Sequence, residues 1–387
     1  MNARPSVTVL AAVLVGVAPI LFRAAADSED ATPLTIGLLL PPSEAEAASI
    51  RLGAELGVEA ANREPGAKLK LIVRGSAGQW GTEGDDAVVL ALDQGAQALI
   101  APTSGAAVHQ ALQVAGRTRV PVVSLCGDSS VTGAGVPWAV RIAPSTEQEA
   151  AALFAVLHAS GQPLRVAAFV PPERAGREAS EDLRSAARKA AVEVANVIEL
   201  RSRDPAYADL ASRAIELKPD VVLLWVESAP ASRLAAALRD CGFKGRLAGP
   251  SRLASAAFSE AAGKSAEGLL LPAPMTDTNA SSLRDRFLQD YRTRAVPPAD
   301  TAAQPPAFTA ALAFDAVQLL ADVLRRSGEE PAFRAFPLTH TVSGVTGELA
   351  FDRSGDRRVQ MQVLETHDGQ WRPFTPVDPL RQDAQAP

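Results

Sequence analysis

Cysteine is close to absent from this chain: Cys126 and Cys241 are the only two in 387 residues. That excludes a disulfide framework and a cysteine-held metal cluster. Histidine is as scarce, with four residues at no metal-ligand spacing, so neither a metal nor a cofactor is expected. Basic residues do not exceed acidic ones, 38 against 44, and the net charge is −6. With aromatics at 5% there is no basic stripe with interleaved rings, which argues against nucleic acid as a partner. No apolar run beyond the first residues is long enough to span a bilayer. The glycine-rich stretch Gly75–Gly84 lacks the Lys-Ser/Thr ending of a phosphate loop. A nucleophile, base and orienting group are also missing, because His109, the histidine nearest Cys126 in sequence, falls inside a helical pattern. The chain is therefore not expected to be an enzyme.

What is present is enough apolar residue, 47%, for full-sized cores, in a chain whose length suggests two domains. Arg4, the apolar run Val7–Phe22 and Ala24-Ala25-Ala26 follow the order of a secretory signal, with cleavage after about Ala26. An uncleaved anchor is the alternative, but the run is only about 16 residues long against the ~20 needed to span, and Pro19 interrupts it. Export across a membrane follows. The two cysteines are expected as free, buried thiols, the commoner state.

From Leu34 onward, short apolar runs alternate with amphipathic segments. Strands are expected at Leu34–Leu40, Leu69–Arg74 and Ala96–Ala101, with helices at 43–62 and 85–94. After Pro144-Ser145-Thr146 the alternation restarts. Helices are expected at 147–160, 176–191, 205–217 and 229–241, and strands at 165–170, 194–200, 221–226 and 246–248. This is the βαβ pattern of a parallel sheet with right-handed crossovers. Another apolar strand lies near 268–274, and two helices, 281–294 and 305–326, flank a Pro/Ala-rich loop. The Arg/Asp-rich helix 281–294 is expected to present a solvated face. The tail, 342–374, alternates in polarity and turns at Asp352–Gly355, so it is expected to be antiparallel.

The stretch Leu99–Asp128 stands out. It reads as strand, Thr/Ser/Gly turn, alanine-rich helix, strand and a second polar turn. Two neighbouring strand ends then present hydroxyls and free N–H groups to one crevice, where open α/β sheets bind ligands. The helix N-terminus adds partial positive charge there.

Several motifs then add up: Thr103-Ser104-Gly105, Ala266-Glu267-Gly268-Leu269-Leu270, Phe314-Asp315-Ala316-Val317-Gln318-Leu319-Leu320, and Gly344-Val-Thr-Gly347-Glu-Leu-Ala-Phe351-Asp352 with Gly355-Asp356. In this order and spacing the chain resembles the type I periplasmic solute-binding proteins. The nearest branch is the leucine/isoleucine/valine-binding one of the branched-chain amino acid and amide uptake systems. The resemblance covers about residues 34–374. It implies an α/β, two-lobed fold, each lobe a mainly parallel sheet flanked by helices, with three hinge crossings near Arg141–Ser145, Leu271–Pro274 and Leu349–Asp352. After a signal peptide, 1–26, lobe 1 would hold 33–142 plus 274–348, lobe 2 would hold 145–270 plus 349–374, and 375–387 would be a C-terminal tail. It further implies an exported monomer that captures a small solute (amino-acid-like, amide or other) by hinge closure and delivers it to a membrane permease and ATPase. A ligand sensor that docks a membrane receptor or enzyme is the alternative on the same fold.

Carried over by position, the resemblance makes Ser104 the carboxylate-binding serine, with Gly105 supplying a backbone N–H. The next turn holds Ser124, Cys126 and Asp128 where a small residue and a hydroxyl are usual. Ser251 falls where an acid usually takes an ammonium, and Glu227 falls at an aromatic position of the neighbouring strand end. Glu46 replaces the first-loop aromatic, and the second-lobe aromatic falls near Ala175. Asp128 reads either as a ligand-contacting carboxylate or as the cap of the turn Ser129–Thr132. Glu227 reads as a cleft carboxylate or as an acid favoured by a helix dipole. Trp80 reads as a lid over the ligand or as packing for its own loop. These departures make a standard branched-chain amino acid a poor expectation and point to the second turn as the source of specificity.

Overall fold

The computed structural model describes residues 32–75, 82–159, 163–201, 206–274, 281–295, 308–327 and 341–375. Runs of leucine, valine and alanine too short for a helix become strands buried on both faces, as in β3 and β8 below, where every residue is buried. The first five are β1 (Leu34–Leu39), β2 (Leu69–Arg74), β3 (Ala98–Ala101), β4 (Val122–Ser124) and β5 (Ala139–Arg141). Between them run α1 (Glu44–Arg63), α2 (Glu83–Val88), α3 (Gly105–Thr118) and α4 (Ser130–Gly133). They pair in parallel in the order β2-β1-β3-β4-β5.

The chain leaves this sheet through 142–145 and enters α5 (Thr146–Leu157), whose start is closed by a capping box between Ser145 and Gln148. Then come β6 (Arg165–Val170), α6 (Glu173–Lys189), β7 (Glu193–Glu199), α7 (Tyr207–Glu216), β8 (Val221–Leu224), α8 (Ser228–Asp240), β9 (Arg246–Ala248), α9 (Ala256–Ala262) and β10 (Leu270–Ala273). After α10 (Ser282–Arg294) and α11 (Phe308–Ser327) the tail forms β11 (Val342–Gly344), β12 (Gly347–Leu349), β13 (Gln362–His367) and β14 (Gln370–Pro373). The second sheet has seven strands, β14-β13-β10-β9-β8-β6-β7, parallel except that β13 and β14 join it antiparallel.

The structure departs from the sequence reading in places. The helix expected over 85–94 divides into α2 and a wider π-turn, Val89–Asp93, ended by Gly95 in the left-handed region at φ 66°. The turn Asp352–Gly355 forms, but it closes only on a single Phe351–Arg357 bridge; the tail's ladders are β11–β12 and β13–β14. Helix α10 is not wholly solvated, since Phe287 and Arg284 point inward and Phe287 meets Phe314 with ring centroids 5.0 Å apart. Cys126 is buried and free, as expected; Cys241 is free but exposed, because it follows the last turn of α8 rather than facing its apolar side.

Helix α11 packs on α1 at backbone contact. Gly53 and Gly57 lie one turn apart, and a β-carbon on Gly53 would sit 2.0 Å from the Ala310 carbonyl oxygen. At Gly57 it would sit 2.9 Å from Val317 Cβ. Gly53→Ala is thus expected to destabilise the protein by about 1–3 kcal/mol through overpacking. Equilibrium urea unfolding checks this, and an unchanged midpoint would show that the two backbones do not touch.

Candidate functional site

Strands β3 and β4 are neighbours in register, Ala101 beside Ser124, so the turns that follow them lie side by side at the carboxyl edge of the five-stranded sheet. In the first turn Ser104 caps α3, its hydroxyl 3.5 Å from the Ala107 N–H, and Gly105 begins the helix. In the second, the fully buried Ser124 accepts the Cys126 N–H at 3.1 Å and so braces the turn from below. The Cys126 Sγ accepts the Asp128 N–H at 3.4 Å. Burial pushes the Cys126 thiol up to about 12, which leaves no thiolate for nucleophilic work.

Asp128 caps its own turn, accepting the Ser130 N–H at 2.8 Å and hydroxyl at 2.7 Å through one oxygen. Its other oxygen lies against Gly105: a β-carbon there would meet it at 2.3 Å. Glu46, in the first turn of α1, is hydrogen-bonded to the Thr103 side chain. Burial raises its carboxyl above the usual range and the charge of Glu227 adds to that, while Thr103 and Arg252 act to lower it.

Glu227 and Arg252 belong to the seven-stranded sheet, so the two carboxyl edges face each other closely enough to interact. Glu227 is the residue before α8, its side chain 77% exposed and 3.6 Å from the Arg252 guanidinium. Ser251 follows β9 and is buried; its N–H and hydroxyl both donate to one oxygen of Glu149, on α5. Glu149 is itself 6% exposed, and burial pushes its carboxyl up to about 7 against the opposing pull of Ser251 and Arg252.

A second set of contacts bridges the sheets along one face of α6, where Arg174, Glu178 and Asp182 recur every four residues. Arg174 donates to the Ser130 hydroxyl at 2.8 Å and lies 3.0 Å from His109 Nε2, both on the opposite side. Ser129 donates to both oxygens of Asp182 at 3.3 Å. Glu178 hydrogen-bonds Asp128. Burial and that carboxylate raise Glu178; burial also raises Asp128, but the hydrogen bonds from Ser130 and Glu178 and the charge of Arg174 outweigh it and bring Asp128 below its ordinary value.

Of the residues singled out from sequence, Ser104, Gly105, Cys126 and Asp128 come together on one edge and Glu227 and Ser251 on the other. Trp80 lies outside the described residues. Sequence reasoning passed over Glu149 and Arg252 as well as Arg174, Glu178 and Asp182. An acid within the apolar stripe of Ala150, Leu153 and Phe154 was the available signal for the first, and i, i+4 charge spacing for the last three. Among the described residues no group of three His, Cys, Asp or Glu side chains is placed to hold a metal ion.

Two sheets of this topology, joined by crossings and opening polar turns toward each other, define a two-lobed solute-binding fold. A family model described as periplasmic binding protein matches residues 33–365, and the chain belongs to that family. Its fold is shared with a leucine-binding protein, LivK, of Thermotoga maritima (TM-score 0.78, 18% identity, covering 90% of this chain and 99% of that one). The branched-chain amino acid substrate-binding protein LivJ of Streptococcus pneumoniae, in complex with isoleucine, is similar at TM-score 0.76, 16% identity and 88% and 98% coverage. A solute-binding protein of R. palustris in complex with benzoate gives 0.76, 17%, 89% and 96%. No protein of curated function matches the chain by sequence.

Glu149 offers a check on the buried wall of the site. Its carboxyl is raised on folding from 4.5 to about 7, so the folded state holds more protons than the unfolded one between those values. Its contribution to stability is complete below about 4.5 and is lost as pH rises through about 7. Glu149→Gln is expected to keep the Ser251 hydrogen bonds and flatten this part of the profile. Melting temperatures of both proteins from pH 4.5 to 7.5 test this; parallel curves would mean that Glu149 is ionised throughout.

Proposed function

We propose that the protein is an exported component of an ABC-type uptake system, which captures a small polar solute between its lobes by hinge closure and hands it to a membrane permease and its ATPase. Membership of the periplasmic binding protein family supports the solute-binding role and the export. In this reading the segment 1–26 is a signal peptide cleaved after about Ala26. Lobe 1 comprises 33–142 plus 274–348, and lobe 2 comprises 145–270 plus 349–374. Ser104, Gly105, Cys126 and Asp128 form one wall of the cleft, and Glu227 and Ser251 the other.

The observation that supports this reading is geometric: Arg174 of α6 donates to Ser130 at 2.8 Å and Ser129 donates to Asp182 at 3.3 Å, so polar turns of the two sheets meet at their carboxyl edges. A solute touching both edges favours the closed arrangement by the free energy of those added contacts. The protein itself does no chemistry.

A thermal-shift screen of amino acids, amides, amines, polyols and aromatic acids is expected to yield at least one solute that raises the melting temperature. With that solute, Ser104→Ala is expected to weaken binding by about 1 kcal/mol, read by calorimetry. Small-angle scattering should give a more compact particle when it is bound. An identical profile with and without bound solute would count against hinge closure.

A further inference from the structure

We propose that Arg174 is a latch between the two sheets: a positioning residue that touches no solute and, by holding the facing turns together, sets the affinity for every solute by the same factor. This role rests on the solute-binding reading above and concerns how that same site is regulated.

The start of α6 is built to aim this side chain. Glu173 holds φ 63°, in the left-handed region that favours glycine, and its N–H is tied to Glu199 at 2.7 Å. A β-carbon on Gly176 would sit 1.9 Å from the Pro171 carbonyl oxygen, so the helix begins hard against the end of β6. Strain of this kind persists only where the surroundings over-determine it. From that turn Arg174, its side chain 54% exposed, reaches across to the other sheet. Its guanidinium donates to the Ser130 hydroxyl at 2.8 Å, Ser130 in turn donates to Asp128 at 2.7 Å, and His109 Nε2 of α3 lies 3.0 Å away. The turn so gripped is not a loose one, since the Thr132 hydroxyl donates to Asp356 at 2.7 Å and the Gly127 carbonyl accepts from Arg141.

Acids from both sides meet at this seam. Asp128 comes from the five-stranded sheet, Glu178 and Asp182 from α6, and Glu178 hydrogen-bonds Asp128. Arg174 pairs with Glu178 on its own helix, and its charge also favours the ionised form of Asp128 across the seam. It is therefore a counter-charge to acids of both sheets, and its loss leaves like charges facing each other. Further along α6, Ser129 adds a second bond across the seam by donating to Asp182. Bonds made between the sheets themselves favour the closed arrangement whatever lies in the crevice. An apparent dissociation constant is the intrinsic one divided by the closed fraction, so a change in that fraction multiplies the constants of all solutes alike. A residue in contact with solute would alter each by its own amount.

Two probes of unlike chemistry that bind the native protein, taken from leucine, leucinamide, benzoate, glutarate, ethanolamine and glycerol or from the wider thermal-shift screen, test this by calorimetry. One fixed pH is kept throughout, because His109, Glu178 and Asp182 also face the seam. Arg174→Ala is expected to weaken both probes by the same factor, roughly three- to tenfold. If the native protein is already mostly closed, the change is read instead as expansion of the unliganded particle in small-angle scattering. Ser129→Ala, which removes the bond to Asp182 from the other side, is expected to act in the same direction on both probes. Arg184→Ala, an exposed position on the same helix, is expected to change neither reading. Factors that differ between the two probes overturn the inference, since Arg174 would then be a solute contact. So does an Arg174→Ala protein with unchanged affinity and an unchanged unliganded profile, or an Arg184→Ala protein weakened as much. In each of these cases the solute-binding reading stands; if no solute binds the native protein, both fail. Should Arg174→Ala not fold, as judged by its unliganded melting curve, Ser129→Ala carries the test.

Discussion

Arg141 ends β5 with 2% of its side chain exposed, and its guanidinium holds the Gly127 carbonyl at 3.1 Å and the Asp356 carboxylate at 2.7 Å. A charge this deep is costly unless paired, and removing one partner of such a pair destabilises strongly. The pairing ties three distant stretches into one joint. Gly127 precedes Asp128 in the second polar turn; Asp356 also accepts the Thr132 hydroxyl at 2.7 Å; and the backbone of Arg141 exchanges hydrogen bonds with Gly355 and Arg357. The turn that carries Asp128 is therefore fastened to the place where the chain crosses from one sheet to the other.

Two buried carboxyls differ in how fully the fold satisfies them. Asp315 has no exposed surface, and both its oxygens are taken, by the Val345 N–H at 2.6 Å and by the N–H and hydroxyl of Thr346. It has no acceptor capacity to spare and serves to hold the β11–β12 hairpin on α11. Glu149 is nearly as buried but has only one oxygen engaged. The two buried acids thus differ in how many donors the fold brings to them.

The alternation of strands and helices was legible because its signal is local: apolar runs too short for helices, bounded by turn residues, leave little choice of conformation. The turn Thr103-Ser104-Gly105 was legible for the same reason, since a helix start has its own residue preferences. Glu149 and Arg252 were not. Glu149 matters through Ser251, 102 positions later, and no pattern within a helix reports what another loop will lay over it. The α6 charges were visible as a helical face, but that the face meets His109 and Ser130 depends on the packing of two sheets. Asp128 was left between two roles, and the structure shows it capping its turn and lying against α3 at once.

The bare backbone contact between α1 and α11 also bears on how the chain is made. Gln318 reaches the Gly57 carbonyl at 2.8 Å across 261 positions, so the first helix meets its partner only after nearly the whole polypeptide has been synthesised. Contacts of such sequence separation are slow to form. Until then the face of α1 that carries Gly53 and Gly57 lacks α11, although all five strands of the first sheet are present by Arg141. A sheet whose strands are all made early thus waits for the helix that packs on it until most of the chain is present.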